Sequence, residues 1–519
     1  MAEYVLGIEL GSTRIKSVLT DCKAQVIASG SFEWESTLVN GLWSYSLEDV
    51  KKGLQASYAS LASAFKEKTG TTLTELKAMG ISAMMHGYLA FDADGTLLTP
   101  FRTWQNTNTE VASEELCELF NFNVPLRWSV SHYYQAVLDC EAHVKNVATV
   151  NTLAGYVHYL LTGKRVLGVG DASGMFPIKN GDYDADMMKK FNARLAEKGF
   201  DVDFEEMLPT VLIAGQNAGY LTNEGALLLD PTGALKGGCP LCPPEGDAGT
   251  GMVATNCIAP KTANVSAGTS AFLMAVLEKD LSKCYREIDM VTTPGGDPVA
   301  MVHINNFTSE MNAWADLFGE VIALGGGKIE RGKLFDALYA KALEGDAAAG
   351  GLVGYNFLAG EPMVGVKSGV PLTARFPDAD LTLASFMKMQ IYSALASLAI
   401  GMDTLYKENV RLENVCGHGG FFKAPVVGQS AMSAALGAPV TVLENSGEGG
   451  AWGVALLALY RIEGGSFVKF LDGIFANAKR STLSASEELK ADFNEFLNRY
   501  KAFLAVEKKA SEVAECLKN

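Results

Sequence analysis

The stretch Leu6-Gly7-Ile8-Glu9-Leu10-Gly11-Ser12-Thr13-Arg14-Ile15-Lys16-Ser17-Val18-Leu19 has a near-copy mid-chain, Ala263-Asn264-Val265-Ser266-Ala267-Gly268-Thr269-Ser270-Ala271-Phe272-Leu273-Met274-Ala275-Val276-Leu277. Each is an apolar run, a Gly-hydroxyl-hydroxyl tip and a second apolar run, a pattern that predicts a β-hairpin. The glycine would let the chain bend and let backbone N–H groups approach a ligand. Small residues with N–H and O–H donors suit a polyphosphate. Two such tips, half a chain apart, predict two related halves serving one nucleotide. Two ordinary hairpins in a large α/β protein are the plainer account, and the matched flanks argue against it.

Composition sets the outer bounds. At 519 residues the chain is too long for one core, so two or three domains are expected. Hydrophobic content of 48% and charged content of 20% describe a soluble globular chain. The net charge of −16 argues against a nucleic-acid or anionic-membrane partner through bulk charge. An anionic ligand stays open, because backbone donors and a metal can bind phosphate locally. No apolar run approaches the roughly 18 residues that span a bilayer. Met1-Ala2-Glu3-Tyr4-Val5 runs straight into strand pattern with no basic region or cleavage site, and the nine cysteines are scattered and odd in number. A cytoplasmic location is therefore expected. The close pair Cys239 and Cys242 has no second Cys or His pair nearby, so a loop leading into a strand is the better reading than a zinc or redox site.

Along the chain, helix is expected over Leu47 to Lys68 and a buried strand over Ala78 to Met84. A hairpin turned at Asp94-Gly95 follows. Tyr133 to Leu161 reads as mostly helical, stopping at Thr162-Gly163. The Gly/Pro/Cys-rich run Gly237 to Gly246 is the expected seam between halves. In the second half, Ile391, Leu395, Leu398, Met402 and Leu405 mark an amphipathic helix. A strand at Leu412 to Cys416 precedes the cluster Gly417-His418-Gly419-Gly420, and Gly453 to Leu459 reads as a buried helix. The tail is helical, with Ser484 and Glu487 in a capping-box pattern and a packing stripe of Leu489, Phe493, Phe496, Tyr500 and Leu504.

Four clusters can carry chemistry. In Glu245-Gly246-Asp247-Ala248-Gly249-Thr250-Gly251 an acid precedes small residues after the Pro/Gly run. Asp247 there would take a proton from a substrate hydroxyl, or merely cap a helix. Met84-Met85-His86-Gly87 follows a buried strand, where open α/β sheets place ligand contacts. His86 could bond a polyol or be a satisfied structural residue. Arg102-Thr103-Trp104-Gln105-Asn106-Thr107 sets an aromatic beside amides, as on a sugar platform, or is a turn with a buried Trp. Gly417-His418-Gly419-Gly420 would let backbone approach a base or phosphate, and alone is weak.

Taken in order, these segments resemble the FGGY carbohydrate kinases, of the actin/sugar kinase/Hsp70 superfamily, over about residues 4 to 465. The first hairpin is similar to the family's Gly-Ile-Asp-x-Gly-Thr opening. Ala83-Met84-Met85-His86-Gly87 resembles the Gln-Met-His-Gly of xylulokinases, and Trp104-Gln105-Asn106 their Trp-Asn-Asp. Gly170-Asp171-Ala172-Ser173-Gly174 is similar to Asp-x-Ser-x-Ala, and Glu245-Gly246-Asp247-Ala248 to the catalytic-base segment. Ser266-Ala267-Gly268-Thr269-Ser270 is similar to Ser-Leu-Gly-Thr-Ser, and Phe357-Leu358-Ala359-Gly360-Glu361 to Tyr-Leu-x-Gly-Glu. Gly417 through Ala434 resembles the adenosine-side signature.

The resemblance implies an α/β fold of two ribonuclease-H-like (actin-like ATPase) domains with an interdomain active-site cleft. The domains expected are 1–254, holding sugar and base, and 255–519, holding ATP and ending in a helical tail. It implies ATP and Mg2+ as cofactors and a sugar or polyol as substrate, with neither nucleic acid nor membrane as partner; the sequence does not give the oligomeric state, and a homodimer stays open. Asp247 is implied as general base. His86, Gly87, Trp104, Asn106 and Asp247 would hold the sugar. Gly11, Ser12, Thr13, Gly268, Thr269 and Ser270 would cradle phosphates, Gly419 and Gly420 would pass the adenosine, and Glu9 with Asp247 would serve the metal. Three departures stand out: Glu9 for the family's Asp, Asn106 for an Asp expected to grip sugar hydroxyls, and Met84 for Gln. The activity expected is phosphorylation of a ketopentose terminal hydroxyl, D-xylulose before L-ribulose, with glycerol less favoured. The rivals are a non-catalytic nucleotide- and sugar-binding regulator, against which Asp247 argues, and an ATPase of the Hsp70 or dehydratase-activator type.

Overall fold

The computed structural model describes residues 3–443 and 449–518. Both sequence-matched hairpins are present. Strand β1 (Tyr4–Leu10) turns at Gly11–Thr13 into antiparallel β2 (Arg14–Asp21), and β3 (Val26–Glu33) follows antiparallel to β2. Helix α1 (Leu47–Thr69) starts where the Ser46 side chain accepts the Asp49 N–H and stops at left-handed Gly70. It lies close on β3 because Gly30 has no side chain: a Cβ there would sit 2.3 Å from the Ser57 carbonyl oxygen. Strand β4 (Ala78–Ala83) pairs parallel with β1, and the two-residue β5 (Glu245–Gly246) pairs parallel with β4. Helix α2 (Asp247–Ala254) leaves directly from β5.

The second series begins with β6 (Thr262–Ala267), which turns at Gly268–Ser270 into antiparallel β7 (Ala271–Val276). It continues with β8 (Pro298–Ile304), helix α3 (Leu383–Lys407), β9 (Asn414–His418), β10 (Val440–Leu443), β11 (Arg480–Leu483) and the long helix α4 (Glu487–Lys518). The first sheet runs β3-β2-β1-β4-β5, and the second contains β8-β7-β6-β9-β10-β11. In both, a hairpin strand flanked by its partner takes the next strand in parallel on its other side. The repeated order bears out the two related halves read from the hairpins.

The chain forms two compact units, one of residues 3–260, 276–299 and 449–477, the other of 261–275, 300–443 and 478–518. The sequence reading placed a single cut after residue 254, whereas the first unit takes back a late piece. The helix Gly449–Glu463 packs in it at backbone distance: a Cβ on Gly7 of β1 would lie 1.9 Å from the Ala451 carbonyl oxygen, and one on Gly453 2.1 Å from that of Thr250.

The expected seam at Gly237–Gly246 is no seam. That run lies inside the first unit, with Leu241 bridged to Met79 and Cys242 against Gly80. Cys239 and Cys242 are buried free thiols. The hairpin at Asp94-Gly95 reduces to one bridge, Phe91 to Leu97, because Leu89–Phe91 pairs instead with Thr149–Asn151. That same strand interrupts the expected helix over Tyr133 to Leu161, which otherwise stops at left-handed Gly163 as read. Helix α3 is buried on all faces rather than one, and 83% of its apolar window lies inside the structure, which makes it a core helix. The cap of α4 is Ser486, whose hydroxyl accepts the Leu489 N–H at 3.2 Å, two residues later than the Ser484 pattern suggested. Its stripe packs inward: Phe493 and Phe496 meet Tyr392, and Tyr500 meets Tyr355.

Candidate functional site

Three segments of the first unit bring the expected sugar-side and base residues together. Asp247 is the first residue of α2, and its Oδ1 accepts the Met85 N–H at 3.1 Å. A carboxylate here gains from the partial positive charge of a helix start. It stays partly open to solvent, whereas Asp171 and Glu245 behind it are fully buried. Glu245 accepts the Asp171 N–H at 2.9 Å and the Gly170 N–H at 3.3 Å, and Asp171 Oδ2 accepts the Thr152 hydroxyl at 2.7 Å. Gly168 and Gly170 have no room for a side chain beside Glu245. Sequence reading quoted both segments but gave Glu245 and Asp171 no role. The usable signal was an acid two residues before Asp247 with nothing near it in sequence to pair with.

Burial raises the proton affinity of the whole group. Glu9 is pushed up to about 7, first by desolvation and then by the charge of Asp247, against a lowering by the Ala451 N–H bond. Asp171 is also pushed up to about 7 by desolvation. Glu245 and Asp247 are raised, again mainly by desolvation. Two partly open carboxylates that repel each other suit a hard divalent cation. Among the described residues no three of His, Cys, Asp and Glu are grouped as a metal cage. Magnesium fits that pattern, since it is commonly held by one or two carboxylates plus water and phosphate oxygens. Glu9 and Asp247 are the residues of this unit that would hold it.

His86 and Gly87 sit just past the end of β4. His86 is buried and holds φ +73°, a conformation uncommon outside glycine. Its Nδ1 lies 3.4 Å from the Gly174 carbonyl oxygen, and a Cβ on Gly174 would meet the ring at 2.5 Å. Gly87, at φ +99°, would place a Cβ 2.8 Å from the Arg102 carbonyl oxygen. Trp104 is 39% exposed, and its indole N–H donates to Ser12 Oγ at 3.2 Å. Asn106, by contrast, is 4% exposed and spends its amide on the backbone of Trp43 and Thr103.

The first tip has its carbonyls pinned. Trp34 Nε1 donates to the Gly11 oxygen at 2.8 Å, the Tyr45 hydroxyl to the Ser12 oxygen at 2.6 Å, and the Trp34 N–H to the Thr13 oxygen at 3.1 Å. In the second unit, the Thr308 hydroxyl donates to the Gly268 oxygen at 2.6 Å and the Phe307 N–H to the Thr269 oxygen at 2.9 Å. None of these bonds uses an amide of Ser12, Thr13, Thr269 or Ser270. Neither Gly11 nor Gly268 has positive φ, so the hairpins do not need glycine in order to bend. What the missing side chains leave is room. Gly419 differs: at φ +106°, a Cβ would lie 2.4 Å from the Ala267 carbonyl oxygen, while Gly420 faces open space.

The N-terminal domain model of the FGGY family of carbohydrate kinases matches residues 4–234, and the C-terminal domain model matches 263–462. The chain belongs to the FGGY family of carbohydrate kinases, enzymes that use ATP to phosphorylate sugars. It is 22% identical to the xylulose kinase of Haemophilus influenzae over 86% of this chain and 91% of that protein. With the xylulose kinase of Staphylococcus xylosus it is 23% identical, spanning 43% of this chain and 45% of that one. The crystal structure of ligand-bound xylulose kinase from Lactobacillus acidophilus is similar with a TM-score of 0.80 at 15% identity, covering 98% and 99% of the two chains, a likeness of fold.

Proposed function

We propose that this kinase phosphorylates the terminal hydroxyl of a ketopentose, with D-xylulose as first substrate and Asp247 as general base. The observation that carries the reading is the placement of Asp247: at a helix start, anchored through one oxygen by the Met85 N–H, with raised proton affinity and partial exposure. A base anchored through one oxygen has the other to offer, and a raised proton affinity favours acceptance of a hydroxyl proton. As the sugar oxygen bonds to the terminal phosphorus of ATP, the bond from that phosphorus to the ADP oxygen breaks, and the hydroxyl proton passes to Asp247. Ser12, Thr13, Thr269 and Ser270 donate to phosphate oxygens; Gly11 and Gly268, whose N–H groups bond the Arg14 and Ser270 carbonyls, leave space for the phosphates, and Gly419 and Gly420 lie along the adenosine. His86, Gly87 and Trp104 line the sugar. Glu9 and Asp247 would hold magnesium, which would supply charge neutralisation at the phosphates, the main demand of phosphoryl transfer.

The preference for D-xylulose rests on the Met85-His86-Gly87 segment and on the names of the relatives. L-ribulose is the alternative ketopentose. ADP release with magnesium-ATP across D-xylulose, L-ribulose, D-ribulose, L-xylulose, glycerol and gluconate tests both. Strong stimulation by D-xylulose alone is the expected result. Stimulation by L-ribulose instead would replace the substrate and keep the reaction, and stimulation by none would remove the ketopentose reading.

A further inference from the structure

We propose that the Thr103–Asn106 turn is a latch in which neither Asn106 nor the indole N–H of Trp104 serves the sugar. Asn106 is a positioning residue that clamps the turn to the neighbouring hairpin, and Trp104 is a positioning residue that orients Ser12.

The Asn106 carboxamide is nearly consumed by its surroundings. Its Nδ2 donates to the Trp43 carbonyl at 2.8 Å and to the Thr103 carbonyl at 3.1 Å, and its Oδ1 accepts the Trp43 N–H at 2.9 Å. Both amide hydrogens are used, and the reverse orientation would set oxygen against two carbonyls and N–H against N–H. The Thr103 N–H adds a bond to the Trp43 carbonyl at 3.2 Å. Trp43 belongs to the short hairpin strand Leu42–Ser44, so the clamp ties two segments 63 residues apart. An aspartate at 106 could not do this. It has no N–H to give, and its oxygens would face two carbonyl oxygens at hydrogen-bond distance. The asparagine is therefore a donor chosen for its backbone partners, rather than a weakened acceptor for a sugar.

The clamp fixes the residue between. Trp104 reaches Ser12 Oγ with its indole N–H, while the Tyr45 hydroxyl holds the Ser12 carbonyl from the other side. With one lone pair of Oγ occupied by an N–H donor, the Ser12 hydroxyl hydrogen is directed away from Trp104 and can be given to an acceptor beyond the tip. Under the kinase reading above, on which this step rests, that acceptor is a phosphate oxygen. The sugar-side turn and the phosphate-side tip then form one unit.

The test uses full-length Asn106→Asp, Asn106→Ser and Trp104→Phe. Without any ligand, the Asn106→Asp carboxylate is expected to turn away from the Trp43 and Thr103 carbonyls that its second oxygen would face, taking the acceptor of the Trp43 N–H with it, so hydrogen exchange at the Trp43 amide should rise roughly tenfold, the scale of about one hydrogen bond. It is expected to rise less in Asn106→Ser, which keeps one donor, and not at all in Trp104→Phe. Wild-type protection in both Asn106 variants would overturn the clamp. In the ADP-release assay, Trp104→Phe keeps an aromatic ring and loses the N–H. A fall of roughly tenfold in kcat with sugar KM within about twofold is expected. A raised sugar KM at unchanged kcat would make Trp104 a platform only. A lowered sugar KM in Asn106→Asp with unchanged exchange would make position 106 a direct sugar ligand. Absence of sugar-dependent ADP release in the wild type would count against the kinase reading, while the exchange result would still decide the clamp.

Discussion

The tips at Gly11–Thr13 and Gly268–Ser270 close equivalent hairpins in equivalent sheets, yet different chemistry surrounds them. The first is held by aromatic side chains: Trp34, Tyr45 and Trp104 all bond to it. Its strand carries Glu9, whose proton affinity is raised partly by the charge of Asp247. The second is held by Thr308 and main chain, and beside it Gly419 packs on Ala267. Duplicated topology supplies two donor-rich turns. The neighbours set one turn among carboxylates of raised proton affinity and the other beside Gly419 and Gly420, where side chains are missing.

The sharpest way to break that division of labour is Asp247→Asn. Turnover should fall by about 10²-fold or more, the scale of losing a positioned base, while ATP binding measured by calorimetry persists. Turnover near wild type would remove the base from the first region. Next comes Gly419→Ala. It forces alanine to a left-handed φ and drives a Cβ to 2.4 Å from the Ala267 oxygen. A loss of about 1–3 kcal/mol in chemical denaturation is expected, together with a raised KM for ATP and an unchanged KM for sugar. A sugar-side effect instead would blur the comparison.

Glu9 offers a pH signature. Its folded pKa of about 7 stands above its ordinary 4.5. The folded state therefore holds the proton more tightly, and this contribution to stability is complete below pH 4.5 and lost as pH rises through about 7. In chelator without nucleotide, Glu9→Gln should melt several degrees higher than wild type above pH 7 and at the same temperature below pH 4.5. A constant offset across that range would mean that Glu9 titrates normally. The smallest effect belongs to Gly420→Ala. The added methyl meets nothing within 4 Å, so stability should change by less than about 0.5 kcal/mol, while KM for ATP rises if backbone approach there matters.

The sequence made legible what local pattern encodes. Both hairpins, α1, β4 and the Gly163 stop are where alternation, caps and glycine put them. It misled where a distant segment decides the outcome. Gly237–Gly246 looks like a linker, but Gly80 offers Cys242 a place to pack, which draws the run into the first sheet. The return of Gly449–Glu463 to β1 was unreadable without knowing that Gly7 and Gly453 are contact points between backbones. At the candidate site, the proposal of Asp247, His86 and the tips follows from residue type and order. The role of Asn106 was not, because a carboxamide beside a tryptophan looks the same whether it faces sugar or backbone. Only the Trp43 contacts, 63 positions away, distinguish the two.

The central claim is that the first region performs sugar-dependent chemistry through Asp247. Its most direct test measures ADP and phosphorylated sugar together, for wild type and Asp247→Asn, with magnesium-ATP and D-xylulose. One ADP per sugar phosphate in the wild type, and neither product at a comparable rate in the variant, is the result this account requires. ADP formed without sugar phosphate, or a variant as fast as the wild type, would contradict it.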